Sequence, residues 1–426
     1  MQMGRASLLA AGFAGALLVA RAPLQAAPDE ARPGIDRRVE QVVKKWKLPG
    51  ASIAIAHQGR LVYARGYGFA DVEAGEPMQP ETLLRIASIS KPFTAVAILR
   101  LVEQGRLGLD DRAFSYLDHL KPLPGAEIDP RMDRITIRHL LQHSVGWQID
   151  GNGLAKVAFP ASYSDPFLRD ANRTVTRRMG IPGPADCPTI IRFMRSQKLA
   201  FDPGAQGQYA NLNYCILGRI IERVTGQSYA DHMQEHLLRP IGITRARLAR
   251  NLLQDRADGE ARYYTPAAPT RSAIDGKSLV PWPYGGMNVE AMDAFGGWVM
   301  SAVDMLRFVL AVDGRRAPAL LHEEMLAEIA ARPAYAKDAL AYRGLGFMIR
   351  PVAGRGVNRF HDGYLVGSVA FFASFVDGTT IVFLTNGSPA RDDQVGEIMR
   401  ELQNALSAGA GEVKWPARLD QFARFM

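Results

Sequence analysis

Two hairpin patterns near opposite ends of this chain constrain its fold more than any other feature. Ala51 to His57 alternates small and branched side chains, turns at Gln58-Gly59 and resumes from Leu61 to Tyr67. Val369 to Val376 leads through an Asp377-Gly378 turn into Thr380 to Leu384. Period-two alternation broken by a short Gly-containing turn marks paired antiparallel strands. With a hairpin at each end, the chain is expected to build one antiparallel sheet from its two halves.

Between the hairpins the period changes to that of helices. Apolar residues recur at helical spacing over residues 92–104, 137–143, 189–197, 214–224 and 229–238, with turn residues between them. A further helix is expected at 35–46, stopped by Pro49-Gly50, and a closing helix at 394–406. The expectation is an α/β (α+β) architecture in which an all-helical domain is inserted into a sheet domain. The sheet domain takes residues 28–86 and 290–426, and the helical domain takes 87–289. Two stretches, 150–186 and 254–287, show no clear period. The second carries Tyr263, Tyr264, Trp282 and Tyr284 among prolines and glycines. Long irregular loops of that kind act as functional walls or mobile segments.

Composition adds bounds. The 426 residues, 47% hydrophobic and 22% charged, are ordinary for a globular chain with a sizeable core. The net charge of +8 comes from scattered pairs such as Arg37-Arg38, Lys44-Lys45 and Arg177-Arg178. A nucleic-acid binder needs a stripe or patch, so nucleic acid is not an expected partner. The basic surface reads as a solvated one with weak attraction to anionic envelope polymers.

Arg5, the uncharged apolar run from Leu8 to Ala20 and the small residues up to Ala27 read as a secretory signal peptide over residues 1–26. Cleavage falls after Ala26 or Ala27, which implies a periplasmic or secreted protein. The run is shorter than the roughly 20 residues a membrane span needs. In that oxidising compartment Cys187 and Cys215 either pair or are buried separately, and the sequence leaves both open.

Ile86-Ala-Ser-Ile-Ser-Lys-Pro-Phe-Thr94 carries the chemistry. Ser88 and Lys91 are three apart, so on a helix their side chains share a face. Pro92 is tolerated only in a first turn, which puts Ser88 at or near the N-cap, in the positive end of the helix dipole. A serine hydroxyl needs a base to become a nucleophile, and a buried lysine beside a helix start is one candidate.

The run from Ser88 to Asp111 resembles the first motif of the class C β-lactamase, DD-peptidase and family VIII esterase superfamily. Further matches follow in order. They are Ile135 to Gly146, Tyr209-Ala-Asn211 after Pro203-Gly204, Ala294-Phe-Gly-Gly-Trp-Val-Met-Ser301, and His361-Asp-Gly363 with Gly367. The resemblance runs from about Pro49 to Asn386. It implies a β-lactamase/transpeptidase-like fold with the site in the cleft between sheet and helical parts. It also implies a serine hydrolase with Ser88 as nucleophile and Lys91 and Tyr209 as proton-handling partners. Tyr209 would relay the Ser88 proton to the leaving group, and Asn211 would hold Lys91 or a substrate amide. His361 would stabilise negative charge on Tyr209 or on a substrate carboxylate, and Gly363 would let substrate approach the backbone. The amides of Ser88 and Tyr364 would form the oxyanion hole. His361 is a departure, since many β-lactamases of the superfamily carry Lys there. H-x-G is more usual in peptidase-like and esterase-like members.

Other patterns carry less. His139 and His143 lie four apart but inside a matched family segment without a carboxylate at metalloprotease spacing, so no metal is expected. His232-Met-Gln-Glu-His236 fits H-x-x-E-H but sits on an amphipathic pattern. Gly66-Tyr-Gly68 lacks the third glycine of a dinucleotide loop, and no complete G-x-S-x-G occurs. No cofactor is expected. The expected substrates are small molecules or peptidoglycan-like peptides: D-amino-acid peptides or amides, short-chain esters or β-lactams. The alternative is a penicillin-binding sensor that acylates without turnover.

Overall fold

A computed structural model of the chain describes residues 32–147, 169–389 and 394–425. The signal peptide expected over 1–26 lies outside the described residues, as does much of the irregular stretch 150–186.

The fold is a mixed α/β one around an antiparallel sheet. Its strands in chain order are β1 (Gly50–His57), β2 (Arg60–Asp71), β3 (Glu76–Pro77), β4 (Leu84–Arg85), β5 (Arg247–Leu248), β6 (Thr270–Arg271) and β7 (Leu279–Val280). They continue with β8 (Trp298–Met300), β9 (Tyr342–Arg343), β10 (Met348–Val352), β11 (Gly356–Leu365), β12 (Ser368–Ser374) and β13 (Thr379–Thr385). Eight of them form the main sheet in the order β3-β2-β1-β13-β12-β11-β10-β9. The two end hairpins meet at β1–β13, with Ile53 opposite Phe383 and Ala54 opposite Val382. Strands β9 and β10 extend the sheet beyond the expected hairpins. They carry only two and five residues, too short to show a period.

Alternation along the strands decides what each face meets. Ile53, Ile55, Val369, Phe371, Ile381 and Phe383 share one apolar core with α1 (Pro33–Lys45) and α11 (Val395–Gly411). Ala54, Ala56, Ala370, Phe372, Val382 and Leu384 face the other core. That core contains α2 (Ser90–Glu103), α6 (Asn211–Thr225) and α9 (Ala302–Val312). Small residues at positions 54 and 56 let α9 lie close against β1 and β13. Both faces are therefore covered, which is why these strands are buried along their length except at His57 and Thr379.

The remaining helices are α3 (Ile137–Leu141), α4 (Arg169–Met179), α5 (Cys187–Met194), α7 (Tyr229–Met233), α8 (Asp293–Gly296) and α10 (Glu323–Ala330). Helix α4 corrects the aperiodic reading of 150–186. Its sequence RDANRTVTRRM offers only Val175 and Met179 as an apolar pair, so its period does not rise above the polar background. The closing helix runs on to Gly411, past the expected end at Leu406. Cys187 at the start of α5 and Cys215 in α6 are joined by a disulfide with Cα atoms 6.0 Å apart.

The stretch 254–287 also reads differently once folded. Tyr263 and Tyr284 are buried, and the Arg85 guanidinium lies 4.4 Å and 5.6 Å from their ring centres. Arg85 also donates to the carbonyls of Pro283 and Arg250, and its own carbonyl accepts from Ser368 Oγ. The buried tyrosines of this loop thus anchor the backbone just ahead of Ser88, while Ile274 and Leu279 of the same stretch stand exposed.

Among the described residues no helix is long and apolar enough to cross a membrane.

Candidate active site

Helix α2 begins at Ser90, and a short 3₁₀ turn, Ala87–Ile89, carries Ser88 into it. Ala87 has φ 49°, a left-handed conformation that an L-residue adopts at a cost. The bend brings Ser88 out half-buried while its neighbours Ala87 and Ile89 are fully buried. Pro92 falls in the first turn of α2, where its missing N–H leaves no bond unmade.

Lys91 follows one turn later and is completely buried. Its Nζ donates to Ser88 Oγ at 3.1 Å and to the Phe295 carbonyl at 2.8 Å. Phe295 belongs to α8, inside the Ala294–Ser301 segment, so that segment supplies a carbonyl to the site.

Tyr209 and Asn211 come from the entry to α6, where Asn211 is the first helical residue. Tyr209 Oη lies 2.8 Å from Ser88 Oγ and donates to Asn211 Oδ1 at 3.4 Å. The Lys91 ammonium stands 4.8 Å from the centre of the Tyr209 ring. Ser88, Lys91, Tyr209 and Asn211 are thus one connected cluster.

The third segment enters from β11. Strand β10 pairs with β11 only as far as Met348 opposite Phe360. From His361 to Leu365 the strand pairs with β12 alone and leaves its other edge open toward the Ser88 turn. A Cβ at Gly363 would fall 2.3 Å from the Ile86 carbonyl oxygen and 3.1 Å from Ser88 N. Only glycine allows this approach. His361 is buried, and its Nδ1 lies 2.7 Å from the Asp362 carbonyl. That contact ties the ring to its own strand, and burial pushes its pKa down to about 4. It is therefore a neutral imidazole near pH 7. Tyr364 is half-buried, and its phenol bonds with Ser388.

Two residues gain a place that sequence reasoning had not given them. His143 stacks on Tyr209 with ring centres 4.5 Å apart, and its Nδ1 accepts from Ala210 N at 3.2 Å. An amide can only donate, so the ring proton sits on Nε2. Burial above all, with Arg343 and Lys91 adding to it, holds His143 well below its ordinary pKa. Arg343 on β9 places its guanidinium 5.4 Å from the Tyr209 ring centre. No local signal marks it, since it reaches the site only through the β9–β10–β11 register. His139 serves Thr136 as a helix cap, and His232 contacts Gln227, so both have structural partners.

These histidines make acid stability predictable. His361 and His232 are pushed down to about 4, mainly by burial, against about 6.5 in an unfolded chain. Between those values the unfolded state binds more protons, so stability is lost as pH falls from about 6.5 toward about 4. Thermal melts across that window should show a falling midpoint. His232→Gln should flatten part of the fall, and a midpoint constant over the window would contradict it.

A sheet with helical layers on both faces, and a serine–lysine pair where a helix meets an open strand edge, define the β-lactamase/transpeptidase-like class of fold. The chain belongs to the Beta-lactamase family, whose profile matches residues 35–405. It is similar to Esterase EstB of Burkholderia gladioli, 34% identical over 213 residues, which is 49% of this chain and 49% of that protein. It is similar also to Protein flp of Staphylococcus aureus (strain MW2), 32% identical over 50% of this chain and 37% of that protein. The match thus spans about half or less of the length of these curated relatives. Among solved structures, the octameric penicillin-binding protein homologue from Pyrococcus abyssi superposes with TM-score 0.64 and 25% identity. That superposition covers 92% of this chain and 79% of the other. The D-amino acid amidase from Ochrobactrum anthropi SV3 shares the fold with TM-score 0.65 and 20% identity, over 88% of this chain and 98% of that one.

Proposed function

We propose that the chain is an exported serine hydrolase that cleaves ester or amide bonds through an acyl-enzyme on Ser88. The observation that carries this reading is the contact set of one hydroxyl: Ser88 Oγ lies 2.8 Å from Tyr209 Oη and 3.1 Å from Lys91 Nζ. A nucleophile within hydrogen-bond reach of a base, with that base oriented by a third group, is what acyl transfer requires.

Lys91 Nζ donates to Ser88 Oγ and to a carbonyl, and the Tyr209 oxygen 2.8 Å from Ser88 Oγ is read as the acceptor of the serine proton. Oγ attacks the substrate carbonyl carbon as its proton passes to Tyr209, which enters the step as the phenolate. The oxyanion that forms accepts from the amides of Ser88 and Tyr364. Alternation in an antiparallel ladder supports the second donor. With Leu365 and Ser368 flanking a two-residue turn, the next pair, Tyr364 and Val369, directs its backbone groups outward. Tyr209 then returns the proton to the leaving oxygen or nitrogen as the carbonyl reforms. Water repeats the sequence on the acyl-enzyme and releases Ser88. Asn211 fixes the Tyr209 hydroxyl, and His361 and Gly363 shape the open strand edge.

Substrates of this reading are short-chain esters, D-amino-acid peptides or amides, and β-lactams. A neutral His361 in place of lysine favours esterase-like or peptidase-like chemistry. Export rests on the N-terminal apolar run of the sequence, and the Cys187–Cys215 bond agrees with an oxidising compartment. Stopped-flow hydrolysis of p-nitrophenyl butyrate tests the reading. A burst of one product per chain followed by steady turnover is expected. A burst without turnover indicates the sensor alternative, and no release at all contradicts both.

A further inference from the structure

More positive charge surrounds Tyr209 than the serine–lysine–tyrosine cluster accounts for. The titratable groups around it are Lys91 from α2, His143 from the turn after α3, Tyr214 from α6 and Arg343 from β9, with His361 of β11 facing Asp362, Lys91 and Arg343, and Tyr335 facing Arg343. The two histidines are neutral near pH 7, since burial holds His361 at about 4 and His143 well below its ordinary value. Tyr214 is a buried neutral phenol whose hydroxyl donates to the Leu141 carbonyl. The fixed positive charge is therefore that of Arg343. Lys91 can exchange a proton during turnover, whereas a guanidinium stays charged at any working pH. Among the described residues Arg343 has no carboxylate partner to neutralise it.

We infer that Arg343 is a positioning residue that acts through its charge, favouring the deprotonated Tyr209 oxygen that takes the Ser88 proton. The inference rests on the reading of Tyr209 as the base. Its geometry is independent of Lys91: Arg343 reaches the phenol ring from the sheet, at 5.4 Å, while Lys91 reaches it from α2, at 4.8 Å. A unit charge that close to the ring, in a partly desolvated site, shifts the titration of the phenol. The shift is downward, because a nearby cation favours the anion. Activity that needs the phenolate therefore extends further into the acid range with Arg343 in place.

The test is the pH dependence of kcat/KM on a neutral ester, p-nitrophenyl butyrate, for the full chain and three variants. Arg343→Met should move the acidic limb upward by about one pH unit while the alkaline plateau stays within about 3-fold. Arg343→Lys, which keeps the charge, should restore most of the limb. An unmoved limb in Arg343→Met overturns the inference. So does a loss equal at every pH that lysine does not rescue, which marks a packing role. A rise in KM confined to carboxylate-bearing substrates also overturns it and makes Arg343 a substrate anchor. Tyr209→Phe separates the two levels. If it keeps full activity, the assignment of the base fails, whereas an inactive Tyr209→Phe with an unmoved Arg343→Met limb defeats only the role of Arg343.

Discussion

Ser88→Ala is expected to lower kcat by at least about 10⁴-fold on any ester or amide the wild type turns over, because removing the nucleophile leaves only binding and oxyanion stabilisation. The fold should be indifferent. Ser88 is half-buried on a 3₁₀ turn, and what it loses is hydrogen bonds to Tyr209 and Lys91 rather than core packing. The thermal midpoint should therefore stay within about 3 °C of the wild type, the shift expected of a surface-like change. Measured kcat and a melting curve on the same preparation check both halves. Activity within 10-fold of the wild type would place the nucleophile elsewhere.

Gly363→Ala should be nearly as damaging for a different reason. The added methyl would land 2.3 Å from the Ile86 carbonyl oxygen and 3.1 Å from Ser88 N, and both are backbone atoms that cannot rotate away. Relief requires β11 to back away from the Ser88 turn. Those are the two segments whose amides are proposed to meet the oxyanion. A displacement on the order of 1 Å at such a site costs on the order of 100-fold. The expected result is a kcat/KM fall of about that size with secondary structure retained in circular dichroism. An unchanged kcat/KM would mean that the open edge of β11 takes no part in the reaction.

Features visible in the sequence are those whose cause is local. Ile53, Ile55, Ala54 and Ala56 announce β1 and even its two unlike faces, because branched and small residues alternate as the two cores demand. Ser88, Lys91 and Pro92 announce their turn for the same reason, as do Tyr209 and Asn211 at the entry to α6. Residues that become important through distant pairing stayed hidden. Arg343 lies on a two-residue strand and meets Tyr209 only because β9, β10 and β11 align. Arg85 is held by Tyr263 and Tyr284 from a stretch with no period at all. His143 carried no role in the sequence beyond its place in a matched segment, and only the fold turns its Nδ1 toward the Ala210 amide. The left-handed Ala87 leaves no trace in residue type, since glycine is the usual marker of that conformation. Helix α4 is too polar to reveal its own period.

The most direct test of the acyl-enzyme mechanism is intact-mass spectrometry of the full chain, quenched in acid within its burst on p-nitrophenyl butyrate, with peptide mapping of any adduct. The mechanism predicts one butyryl group per chain, located on the peptide containing Ser88 and absent from Ser88→Ala. An adduct on another residue, or turnover without any adduct in a chain shown to burst, would contradict it.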